Sequence, residues 1–230
     1  MNINLNKQHL HFAMHPRFAM GHLKPYMQLS NNLAEQGHRV TFFLPSKVHP
    51  SISPFNSHPD LITLIPITLP PVSGLDPNFQ TTADCDLPAQ YLLAAAFDKT
   101  APVIQSHLQT LQPDAIFFDF AHWIPDMAKT LGILSICFYS SPAASLAYLL
   151  VKLAGYDRPL PSDFPPACLA LSKHENNCVD SFLMGEYGEG ITLGERLKMS
   201  GTQCDMIAFR TFRELLLNLT YYHTFYFEAW

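Results

Sequence analysis

Residues 12–44 read "FAMHPRFAMGHLKPYMQLSNNLAEQGHRVTFFL". Leu10–Met14 is short and apolar, the composition of a buried strand. The periodic segment that starts near His22 places Tyr26, Leu29 and Leu33 on one helical face and turns Gln28, Asn31, Asn32 and Glu35 mostly away from it. Pro25 suits a first helical turn, and Gly37 suits the residue just past a helix end. Arg39–Leu44 ("RVTFFL") is β-branched and aromatic, a second strand. Strand, helix of about four turns and strand make a βαβ unit of a parallel sheet, with a right-handed crossover expected.

The rest of the chain extends that pattern. Leu61–Ile65 reads as a strand, followed by a loop broken by Pro70, Pro71 and Gly74. Leu87–Leu111 reads as one or two helices, Asp114–Phe118 as a buried strand, Trp123–Leu131 as a helix and Ser135–Phe138 as a strand. Ala143–Leu153 reads as helical, residues 154–180 as loop, Ile191–Met199 as a helix and Met206–Arg210 as a strand. Such alternation predicts an α/β fold with a doubly wound, mostly parallel, Rossmann-like sheet, whose ligands bind at the carboxyl ends of the strands.

Composition narrows the function. The chain has 230 residues, 48% of them hydrophobic and 14% charged, so it can bury a substantial core. With 14 Lys and Arg against 19 Asp and Glu the net charge is −5, and no basic stripe marks a nucleic-acid surface. No apolar leader and no run of about 18 uncharged apolar residues appears, so no transmembrane segment is expected. Five scattered cysteines without finger spacing fit reduced thiols and a cytoplasmic location.

His22 stands where a strand gives way to a helix, and Asp119 at the carboxyl end of "AIFF". In a parallel sheet both lie on one rim. A carboxylate on one imidazole nitrogen fixes the tautomer, and the positive end of the helix disfavours the imidazolium, which suits a neutral general base. Rival chemistries fare worse. "HPRFAMGH" has a single glycine where a nicotinamide fingerprint needs three, and no Gly-x-Ser-x-Gly elbow occurs. His9, His11, His15 and His22 have no cysteine or carboxylate at ligand spacing, so no metal is expected.

"HFAMHPRFAMGHLKPYMQLSNNLAEQGHRVTFF" followed by "PDAIFFDFAHWIPDMAKTLGI" resembles the N-terminal half of a plant family-1 UDP-sugar glycosyltransferase. The runs "FFDFAHWIP", "LPPVSGLDP" and "GERLKMSGTQCDMIAFRTFRE" resemble the branch that adds a sugar to a sugar already on a flavonoid or anthocyanin. The resemblance implies a GT-B enzyme whose N-terminal, acceptor-binding domain is residues 1–214. It implies inverting transfer, with His22 as the base and Asp119 as the carboxylate that orients it. Ser140 matches a position that touches the donor sugar in some members. Phe18, Phe120, His122, Trp123 and Met184 come from segments expected near the acceptor. The implied partners are a flavonoid or other phenolic glycoside and a UDP-sugar, a co-substrate rather than a cofactor.

Two departures qualify that implication. No segment matches the family's donor-binding signature, since the only tryptophans are Trp123 and Trp230 and no His-Cys-Gly occurs. Residues 215–230, "LLLNLTYYHTFYFEAW", form an atypical hydrophobic tail, read either as a packed element or as the product of a shifted frame. The expectation is a chain whose donor-binding domain is absent and whose transfer activity is impaired. The alternative is a non-catalytic module that binds acceptors or another protein.

Overall fold

The computed structural model describes residues 9–141, 149 and 172–210. Six strands form one sheet: β1 (His11–His15), β2 (Arg39–Pro45), β3 (Ile62–Ile67), β4 (Ala115–Phe118), β5 (Leu134–Tyr139) and β6 (Met206–Phe209). Their order across the sheet is β3-β2-β1-β4-β5-β6, and every pairing is parallel. The helices are α1 (Met20–Glu35), the single-turn α2 (His49–Ile52), α3 (Leu87–Asp98), α4 (Ala101–Leu111), α5 (Ile124–Leu131), α6 (Lys173–Met184) and α7 (Leu193–Gln203).

Both faces of the sheet are covered, and the strands show it residue by residue. Phe12, Met14, Phe42, Leu44, Ala115 and Phe117 point to one face, where Leu23, Tyr26 and Met27 of α1 cover them. Ala13, Phe43, Ile116, Phe118 and Cys137 point to the other, against Phe97 of α3, Ile104 and Leu108 of α4, and Ile124 and Ala128 of α5. This period of two, with no polar face, is why the strands read as continuous apolar runs. Each fully buried Leu, Ile, Met or Phe contributes about 1.5–3 kcal/mol to folding.

Several boundaries differ from those read in the sequence. Helix α1 starts at Met20, so Pro25 lies in its second turn rather than its first. The residue four before Pro25, whose carbonyl its ring crowds, is Gly21, and a Cβ added there would meet nothing within 4 Å. Leu87–Leu111 is two helices, because Pro102 near the start of α4 suits a new first turn and not a helix interior. The loop expected through residue 180 is corrected by α6, which starts at Lys173. Its start is a capping box: the Ser172 hydroxyl accepts from the Glu175 amide, and the Glu175 carboxylate accepts from the Ser172 amide. The predicted helix Ala143–Leu153, apart from Leu149, and the hydrophobic tail 215–230 lie outside the described residues.

Candidate active site

The strand order reverses between β1 and β4, which makes the crevice beyond their carboxyl ends the topological switch point of the sheet. His15 pairs with Phe118 in register, and there the two chains part. One turns through Pro16–Ala19 into α1, and the other passes directly into Asp119.

His22 lies in the first turn of α1, and its Nδ1 is 2.6 Å from Oδ2 of Asp119. The other carboxylate oxygen accepts two backbone N–H groups, Arg17 and Phe120, each at 2.7 Å. The Asp119 side chain is 1% exposed and that of His22 23%. A carboxylate held by three donors has little freedom to turn, so it fixes the imidazole plane. With Nδ1 donating to Asp119, the nitrogen left to accept a proton is Nε2. The Phe120 ring closes one side of the imidazole, edge-on with centroids 5.8 Å apart.

A cleft opens beside this pair, lined by Arg17, Phe18, Gln90, Phe97, Phe120 and Tyr187 among others. The Arg17 guanidinium stands over two of its rings, 4.4 Å from the Phe120 centroid and 5.0 Å from that of Tyr187, and it donates to the Tyr187 hydroxyl. Burial pulls Arg17 down to about 10, with Asp119 opposing and Arg196 adding to the shift, so it stays charged at neutral pH.

A buried Arg196 in the cleft lining ties three segments together. Its guanidinium makes a forked pair with Asp98 at 2.6 and 2.8 Å. It also donates to the carbonyls of Phe120 at 3.0 Å and Tyr187 at 2.7 Å. Asp98 accepts from the Trp123 indole at 3.2 Å. His122 Nδ1 lies 3.2 Å from the same guanidinium. Burial, and then Arg196, lower the His122 pKa, so its ring is neutral and accepts.

The structure therefore brings His22 and Asp119 together, and sets Phe18 and Phe120 on the cleft wall. His122 and Trp123 lie behind that wall in the Asp98–Arg196 network. Met184, the last residue of α6, is 66% exposed and outside the cleft lining. Ser140 is half-buried just past β5, on the rim that carries the dyad. The four histidines weighed as a metal set point apart. His9 bonds the Gly37 carbonyl, His11 bonds Thr41, His15 is enclosed by rings and His22 faces Asp119. No cluster of three metal-ligating side chains occurs among the described residues, and none of their helices is long and apolar enough to cross a membrane.

Arg17, Tyr187, Asp98 and Arg196 were not singled out by the sequence reading. Asp98 and Arg196 are 98 residues apart, so no local spacing marks them as partners. Arg17 has a weak signal: a charge inside an apolar segment, five residues before His22.

No family model matches the chain. The cyanidin 3-O-galactoside 2''-O-xylosyltransferase FGGT1 of Actinidia chinensis var. chinensis is 37% identical in a 214-residue alignment that covers 89% of this chain and 47% of that protein. UDP-glycosyltransferase 79B5 of Arabidopsis thaliana is 40% identical over 205 residues, 89% of this chain and 44% of that one. The curated homologues of this chain are plant UDP-glycosyltransferases, and they match about 89% of it. It spans about half the length of the curated relatives it matches. Among solved structures, Arabidopsis thaliana UGT89C1 complexed with quercetin superposes with a TM-score of 0.67 at 17% identity, over 90% of this chain and 45% of that one. The fold is that of the N-terminal domain of GT-B glycosyltransferases.

Proposed function

We propose that this domain supplies the acceptor site and the general base for inverting transfer of a sugar from a UDP-sugar to a hydroxyl of a flavonoid or anthocyanidin glycoside. The observation that carries the reading is the 2.6 Å contact between His22 and Asp119 at the switch point of the sheet, beside an aromatic cleft. The relatives' activities point the same way, since FGGT1 is a xylosyltransferase acting on a cyanidin glycoside.

In this mechanism Nε2 of His22 takes the proton of the acceptor hydroxyl. The acceptor oxygen forms its bond to the anomeric carbon as the bond from that carbon to the diphosphate oxygen breaks. UDP leaves with the electron pair, from the face opposite the attack, so an α-linked glucosyl donor gives a β-linked product. Asp119 positions the ring and stabilises the imidazolium as it forms. Ser140, on the same rim, is assigned to the donor sugar. Phe18 and Phe120 are assigned to the flat acceptor, whose rings suit an aromatic wall.

Transfer requires an activated sugar held beside the base, since positioning of both substrates supplies much of the rate. Donor binding therefore decides whether these 230 residues catalyse or only bind. Calorimetric titration with UDP-glucose and, in parallel, an anthocyanidin glucoside separates the two. Binding of both, with turnover that His22→Ala lowers by ~10²–10⁴, supports the enzyme. Binding of the glucoside alone makes the chain an acceptor-binding module. Binding of neither removes the reading.

A further inference from the structure

The chain carries a net charge of −5, yet among the described residues no carboxylate lines the cleft. Its charged lining residues are both arginines, and they differ in one respect. Arg196 is neutralised by its forked pair with Asp98. Arg17 pairs with no carboxylate among the described residues, because the nearest one, Asp119, already spends its oxygens on His22 and two backbone amides. Its guanidinium carbon stands over two aromatic rings, 4.4 Å from the Phe120 centroid and 5.0 Å from that of Tyr187, with the Tyr187 hydroxyl as its side-chain hydrogen-bond acceptor. A half-buried cation held in place without an ionic partner is costly unless a ligand completes it. Thr82 and Gln90 complete a neutral polar border, so no anion among the described lining residues competes for the guanidinium.

We propose that Arg17 is an anion-recognising residue of this cleft, selecting acceptors that carry a carboxylate. The proposal rests on the acceptor-site reading above and adds the ligand's charge to it. A guanidinium accepts a carboxylate through two parallel N–H bonds, a geometry that Lys cannot supply. The Phe120 ring touches both the Arg17 guanidinium and the His22 imidazole, so a carboxylate on Arg17 anchors the acceptor on the same wall that carries the base. The acceptor class this fits is a phenolic glycoside whose sugar is a uronate or bears an acidic acyl group.

The test is calorimetry of the full chain with a flavonol 3-O-glucuronide, the matching 3-O-glucoside and UDP. Wild type is compared with Arg17→Gln and Arg17→Lys, and each variant's folding is checked by its thermal melt. The glucuronide should bind at least tenfold more tightly than the glucoside. Arg17→Gln should erase that ratio and Arg17→Lys should keep part of it. Glucuronide and glucoside binding equally, or a preference that survives Arg17→Gln, overturns the assignment and leaves the acceptor-site reading intact. Failure of both glycosides to bind overturns both. UDP binding that Arg17→Gln abolishes, with no preference between the glycosides, assigns the cation to a phosphate and overturns it too. Should Arg17→Gln fail to fold, the glucuronide preference of Arg17→Lys and its decline with added salt still decide the matter.

Discussion

His15 closes β1 with its ring stacked on Phe97, centroids 4.9 Å apart and planes 4° from parallel, and edge-on to Phe18 and Phe43. Neither ring nitrogen has a hydrogen-bond partner among the described residues. Burial holds its pKa down at about 3 against an ordinary 6.5, and the Asp119 charge offsets only part of that. The folded chain therefore keeps this ring neutral at pH values where the unfolded chain protonates it. Its linkage leaves stability intact above about pH 6.5 and removes it progressively as pH falls toward 3, by at most ~1.4 kcal/mol per pH unit. His15→Leu, close in volume and without polar atoms, should raise stability at pH 7 by ~1–3 kcal/mol and flatten the fall between pH 6.5 and 4. Urea melts at pH 7 and pH 5 read both effects. A loss of several kcal/mol at pH 7 would mean that the ring nitrogens hold a buried water. This histidine shows the limit of reading residues from sequence. His15 and His22 are seven apart in one segment, and burial makes one a neutral core ring while the strand-to-helix junction gives the other a carboxylate.

At the scale of elements, the loop between α6 and α7 carries the least tolerant position. Gly188 has a φ of +105°, and a Cβ there would stand 2.7 Å from Asp98 Oδ2, against the Arg196 guanidinium as well. Gly188→Ala must either strain the backbone or part a buried ion pair, and parting such a pair costs ~3–5 kcal/mol. Gly190, two residues on, also has a positive φ of +70° but open space around its Cβ, so Gly190→Ala should cost only the ~1–2 kcal/mol of the left-handed backbone. Comparing the two denaturation midpoints separates strain from collision. If they match, the Arg196–Asp98 pair has no part in the loop's stability. The elements themselves were largely legible in the sequence: the βαβ unit from its periodicity, and the strand ends from their apolar runs. The missed helix α6 had one clear sign, Ser172 three residues before Glu175, hidden by the prolines before it. A second box, Thr192 and Glu195, opens α7 at Leu193. The Arg196 network was not legible, because its partners are joined by topology rather than spacing.

Across the whole molecule, the site's position in the sheet gives it a rigid base. β1 and β4 lie in the middle of the order, while β3 and β6 are edges, with Pro66 in one and only half-buried residues in the other. Local opening costs least where ladders are unpaired on one side and burial is incomplete. Amide exchange should therefore be slowest in Ala13–His15 and Ile116–Phe118 and fastest, among the strands, in Met206–Phe209. The amides of Arg17 and Phe120 bond the carboxylate that orients His22, so they report directly on the cleft. A carboxylated phenolic glycoside should slow exchange at these two amides and in residues 185–192, and leave β3 unchanged. Protection gained instead along β3 and α2 would place the ligand on the opposite edge of the sheet, away from His22. Protection gained equally everywhere would show only that ligand stabilises the folded state as a whole. The proposed chemistry needs the selective pattern, because a base can act only on a hydroxyl that the cleft beside it holds still.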